Sequence, residues 1–139
     1  YQGVLKQNLA FLDRFILCEV DYPKPEMECE LLSRLTPELP DDLRIKMVEY
    51  AGEVRRLFIG EMNPTTPNNV LDVTFSTRTL IRWARLTIRF QPLARQGISP
   101  LKHALDRALA FRASAENRTF LHELVQRIFP AEETGRNNL

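Results

Sequence analysis

The sequence predicts a mainly α-helical domain of about five helices, preceded by one short strand. Three observations carry this. Apolar residues recur at helical spacing through most of the chain. Proline, serine or aspartate stands at the start of four of these segments, where helix starts favour them. A short apolar, strand-like run occurs in one early stretch, and one strand cannot make a sheet.

In chain order, residues 7–13 read as a short helix. Phe15–Asp21 then alternates and stops at Pro23, which reads as the strand. Pro25 and Glu26 suit a helix first turn, because proline lacks the amide hydrogen that would go unpaired there. That helix is expected to end near Leu35, before Thr36-Pro37. A second starts near Pro40-Asp41-Asp42, and Leu43, Met47, Ala51, Val54 and Phe58 carry it to about Met62. NPTTPNNVLD is a loop by its Pro and Asn content, and Val70–Phe75 is expected to pair weakly as extended chain. Ser76 is a good N-cap for the third helix, which Pro92 to Gly97 ends. Ser99-Pro100 caps a fourth, with Leu101, Leu105, Ala108 and Leu109 on one face. A last helix, about 116–129, shows Phe120, Leu121, Leu124, Val125 and Ile128. The tail 131–139 lacks apolar content until its final residue and is expected to be disordered.

The chain has 139 residues, the usual size of one domain or a large subdomain. Its net charge is +1, so any electrostatic function must be local, and nucleic-acid binding is disfavoured. Two cysteines, Cys18 and Cys29, stand in no metal-type spacing and make no disulfide framework; we read them as reduced and intracellular. No apolar run approaches membrane-spanning length. The chain opens YQGVLKQ without an initiator methionine, and we expect an excised piece of a longer protein. There is no glycine-rich phosphate loop, HExxH, CxxC or GxSxG. His103 and His122 lie on separate amphipathic helices and read as structural, not as ligands or catalysts. The acidic pairs Asp41-Asp42 and Glu132-Glu133 fall at a helix start and in the tail, not where paired-carboxylate chemistry is expected.

One segment stands apart. In TFSTRTLIRWARLTIRF, Arg78, Arg82, Arg85 and Arg89 are spaced four, three and four residues apart. On a helix they fall within an arc of roughly 60°. Apolar residues, Trp83 among them, fill most of the remaining circumference and read as core. The cationic face is left to solvent, acidic side chains or phosphate.

Two pieces together resemble a known family. NLAFLDRFILCEVDYP, residues 8–23, and FSTRTLIRWA, residues 75–84, resemble the region after sensor 1 and the sensor-2 helix of AAA+ ATPases. The nearest branch looks like the MoxR-type proteins, which include the ATPase subunit of cobalt chelatase and the ATPases that activate Rubisco or nitric oxide reductase. In that branch an A-x-L-D-R-F motif closes the core subdomain, followed by a hydrophobic strand, Y-P and an acidic helix. Here the matching residues are Ala10, Leu12, Asp13, Arg14, Phe15, Tyr22, Pro23 and Glu26. Gln7-Asn8 stands where many members have Leu-Pro, and Ser76-Thr77-Arg78 where they have Ser-Pro-Arg. These departures favour a chelatase-like side branch.

The resemblance implies a division into three. Residues 1–23 would close the AAA+ core subdomain, 24–130 would form the helical lid, and 131–139 the tail. Phosphate loop, magnesium-binding carboxylates and sensor 1 would lie upstream of Tyr1, so this piece alone would not hydrolyse ATP. The parent would be a cytoplasmic, ring-forming ATPase, a hexamer, using ATP and Mg²⁺ to remodel a partner protein or insert metal into it. The partner class implied bears a metal-ion-dependent adhesion-type domain. Arg14 would be the arginine finger, acting in trans on the next subunit's γ-phosphate, a role worth roughly 10³–10⁵ in rate. The alternative for Arg14 is a helix-end arginine paired with Asp13. Arg78 would be sensor 2, contacting the phosphate bound in its own subunit; the alternative is a surface arginine. Arg82, Arg85 and Arg89 are expected to pair with carboxylates of the core subdomain or a neighbouring subunit. No metal ligand is expected. The competing function is a non-enzymatic helical module that uses the arginine stripe to bind acidic partners.

Overall fold

Lys24 is extended and hands over to Pro25 at the first helical position, so this helix begins where proline dictates. A computed structural model describes residues 22–60 and 74–130 of the chain. The first described helix, α1, spans Pro25–Leu35, and Thr36 closes it by bonding back to the Leu32 carbonyl through both its amide and its hydroxyl. α2 spans Asp41–Gly60. The turn between them is held by Arg44, which is buried. Its guanidinium donates to the carbonyls of Thr36 and Leu39 and to the Asp41 carboxylate. Asp41 therefore serves its helix start partly through this ion pair, a role beyond the favourable charge expected of it.

α3 spans Thr77–Arg89, and the Ser76 hydroxyl accepts from the Thr79 amide, as the capping signal predicts. A short 3₁₀ segment, Gln91–Gln96, follows; Gly97, at φ 74°, makes the left-handed turn that a side chain would strain. α4 spans Pro100–Ala108, with Ser99 capping Lys102. A second 3₁₀ turn, Ala110–Arg112, leads to α5, Ala115–Ile128, capped by Ser114. The last helix thus starts a residue earlier than the pattern suggests, because the Ser114 hydroxyl takes the Asn117 amide.

The core lies between α2, α3, α4 and α5. Tyr50, Phe75, Trp83 and Phe129 form one aromatic cluster with ring centroids 5.0–6.4 Å apart. Leu32, Met47, Leu80, Leu101, Leu105 and Leu121 pack around it. Each polar end of the cluster is satisfied, as burial requires. Trp83 Nε1 donates to the Leu101 carbonyl at 3.0 Å, tying α3 to α4. The Tyr50 hydroxyl donates to the Leu121 carbonyl at 2.9 Å, tying α2 to α5. Burial pushes the Tyr50 phenol far above its ordinary range, and Asp106 adds to the rise.

Among the described residues there is no strand, and the architecture is the mainly α-helical one expected, matching a helical AAA+ lid subdomain. The proposed helix at 7–13, strand Phe15–Asp21 and tail 131–139 lie outside the described residues. The extended pairing suggested for Val70–Phe75 is not seen in its described part: Thr74 and Phe75 are in no strand, and Phe75 is a core residue.

Candidate functional site

α3 has two unlike faces. Leu80, Trp83, Ala84 and Thr87 are buried, while Arg78, Arg82, Arg85 and Arg89 are all exposed. The arc read from the sequence is therefore a real face. Among the described residues none of the four makes an ion pair. Arg78, Arg82 and Arg85 rim an open groove of about 470 Å³. Its apolar lining is Leu35 from the end of α1 with Ile81 and Leu86 from α3. Arg78 sits one residue inside the start of α3, at the end where helix amides point outward and the helix dipole is positive. Exposed guanidinium donors beside outward-pointing helix amides are the kind of arrangement that anions favour. Arg14, the other expected phosphate contact, lies outside the described residues.

Beneath that helix start lies a polar cluster that the sequence analysis did not single out. Glu28 of α1 is 1% exposed and Arg55 of α2 is 7% exposed. They form a bidentate pair, Nη1–Oε1 at 2.6 Å and Nη2–Oε2 at 2.9 Å. Arg55 Nε donates to the Phe75 carbonyl at 2.5 Å. The Thr77 hydroxyl donates to Glu28 Oε2 at 3.0 Å. The Tyr22 ring lies 4.2 Å from the Arg55 guanidinium carbon, and its hydroxyl is 3.0 Å from Thr74 Oγ1. A signal for this cluster was present. Arg44, Val48, Ala51 and Arg55 share one helical stripe, so two arginines stand at positions that a purely apolar core would fill.

Both histidines contact neighbouring elements. His122 Nε2 lies 2.6 Å from Asp106 Oδ1 and joins α5 to α4. His103 packs its ring against the Phe90 edge at 4.7 Å. Among the described residues no three His, Cys, Asp or Glu side chains gather to hold a metal ion. No helix among them is long and apolar enough to cross a membrane. The Cys29 thiol is half-buried, and burial together with Glu26 and Glu28 pushes its pKa up, away from the reactive thiolate.

Comparison with known proteins gives one family. No curated protein and no solved structure matches the chain. Residues 28–128, more than two thirds of the chain, match the CbbQ/NirQ/NorQ C-terminal family. The match starts at Glu28, spans all of α2, α3 and α4, and ends with α5. This match and the helical lid architecture agree: the chain belongs to the CbbQ/NirQ/NorQ C-terminal family, within the MoxR-like AAA+ ATPases.

Proposed function

We propose that the chain is the lid part of a ring-forming, cytoplasmic AAA+ ATPase, with Arg78 as its sensor 2. The carrying observation is that Arg78 stands exposed at the start of α3, without a carboxylate partner among the described residues. Family membership supports ATP and Mg²⁺ as the parent's cofactors. Bound there, the nucleotide would supply the free energy of phosphoanhydride hydrolysis. The chain's own residues do the rest. Arg78 holds the γ-phosphate of its own subunit, so lid angle follows nucleotide state. Arg14 reaches the γ-phosphate of the next subunit in the ring, a hexamer, and stabilises charge in the transition state. Work is delivered to a partner protein, as remodelling or as insertion of a metal cargo. The partner class is one with a metal-ion-dependent adhesion-type domain. The chelatase-like placement rests on Gln7-Asn8 and Ser76-Thr77-Arg78, the departures noted above.

The test uses the full-length ATPase. Arg78→Ala weakens nucleotide binding and lowers turnover, while Arg89→Ala, about 16 Å further along α3, leaves binding unchanged. Arg14→Ala abolishes turnover and spares binding, and mixing it with a variant lacking the magnesium-binding carboxylate restores part of the activity. Unchanged turnover in Arg78→Ala sinks the sensor-2 assignment. Loss of binding by Arg14→Ala in a monomer sinks the trans role.

A second reading, a helical module that docks acidic partners, is favoured by the groove's apolar lining and cationic rim. Saturable binding of an acidic amphipathic peptide, lost in Arg82→Ala/Arg85→Ala but not sensitive to nucleotide, would favour it.

A further inference from the structure

We propose that Tyr22, Arg55, Glu28 and Thr77 form a latch that couples the chain entering the helical domain to the orientation of Arg78. This rests on the reading of Arg78 as a phosphate contact. Thr77 is then a positioning residue for Arg78.

The latch holds the chain at the entry and first residue of α3 at three points. Tyr22 bonds the Thr74 side chain at 3.0 Å, Arg55 bonds the Phe75 carbonyl at 2.5 Å, and Glu28 accepts from the Thr77 hydroxyl at 3.0 Å. Thr77 is the residue immediately before Arg78. The Arg78 guanidinium makes no side-chain bond among the described residues, so its position follows from the first turn of α3, which Thr77 ties to Glu28. A helix is stiff, and an origin fixed at its first turn fixes where the guanidinium can reach.

Stability alone gives no reason to keep such a cluster. A buried ion pair is often no better than well-packed apolar residues of the same volume. What it adds is directional: Glu28 Oε2 can be shared between Arg55 and Thr77 in one arrangement of α1, α2 and α3. Tyr22 is the most exposed member at 42%. It is also the one adjacent in sequence to residues 1–21, which contain Arg14. A displaced Tyr22 would uncover the Arg55 guanidinium and let water reach the pair. The hold on Thr77 would then loosen, and Arg78 with it.

The test is a double-mutant cycle in the full-length ATPase, read by titration with a fluorescent ATP analogue. Thr77→Val deletes the bond to Glu28 while leaving the ion pair in place. We expect about tenfold weaker nucleotide affinity, the scale of one lost hydrogen bond to a charged group. Thr77→Ser restores the affinity. In an Arg78→Ala background, Thr77→Val adds less than about twofold, because both act through one contact. Tyr22→Leu behaves as Thr77→Val does, alone and in that background. Equal effects of Thr77→Val with and without Arg78 overturn the latch, since the threonine would then act by stability alone. So does a normal Thr77→Val beside a defective Arg78→Ala. If Arg78→Ala itself binds and turns over nucleotide normally, the sensor-2 reading falls, and the latch with it.

Discussion

Arg55 and Arg78 are the same residue type on neighbouring helices, and the fold treats them in opposite ways. Arg55 is enclosed: two bonds go to Glu28, one to the Phe75 carbonyl, and the Tyr22 ring covers the guanidinium. The Arg78 guanidinium is open on a groove rim and bonded to nothing among the described residues. A buried guanidinium must spend its donors within the protein, because an uncompensated charge there is severely destabilising. An exposed one keeps its donors for whatever arrives. The held arginine builds the scaffold, and the free one is available for function.

The largest expected effect breaks the held side. Glu28→Ala strands the Arg55 charge and leaves Thr77 without its acceptor, and should cost about 3–5 kcal/mol in urea denaturation. Replacing both partners, Glu28→Met with Arg55→Met, should cost markedly less than the two single changes summed. If the single change costs under about 1 kcal/mol, the pair is not enclosed as described.

Tyr50→Phe probes another satisfied group, and should cost about 1 kcal/mol at neutral pH through the lost bond to the Leu121 carbonyl. The pH dependence has a definite sign. The folded phenol keeps its proton well above pH 10, where the unfolded one loses it. Its contribution is fully present below about pH 10 and is lost as pH rises beyond that. Tyr50→Phe should therefore decline less steeply than the parent chain in alkaline denaturation.

On the free side, Arg78→Ala, Arg82→Ala and Arg85→Ala should each change stability by no more than about 0.5 kcal/mol. A larger loss in any of them, by the same urea titration, would place that arginine among the scaffold residues. The smallest signal is chemical. Cys29 should alkylate several-fold more slowly at pH 8 than a free thiol, because burial and the nearby Glu26 and Glu28 disfavour its thiolate. A thiol-reagent time course checks this, and Glu28→Gln should speed it.

The helical elements were legible for local reasons. Pro25, Ser76 and Ser99 act within one turn of their own position, and each is found capping or opening the helix it announces. The arginine face of α3 was legible for the same reason, since a helix fixes the angle between residues four apart whatever surrounds it. At Thr74 and Phe75 the expected extended pairing is absent, because Phe75 is drawn into the aromatic cluster with Tyr50 and Trp83, partners that lie outside its local sequence. Ser114 went unnoticed as a cap because the apolar pattern of α5 begins several residues later.

The sequence by itself determined the five helices of the described residues, the caps at Ser76 and Ser99, a core stripe through Met47, Ala51 and Val54, and a cationic stripe on α3. These are set by backbone geometry and by contacts within a few residues. Only the tertiary structure decided which charges are enclosed. Glu28, Arg55 and Thr77 lie 27 and 49 residues from one another's anchor at Glu28, and no local rule relates them. Their meeting follows from the way α1, α2 and the start of α3 converge, and burial then forces each donor to find an acceptor.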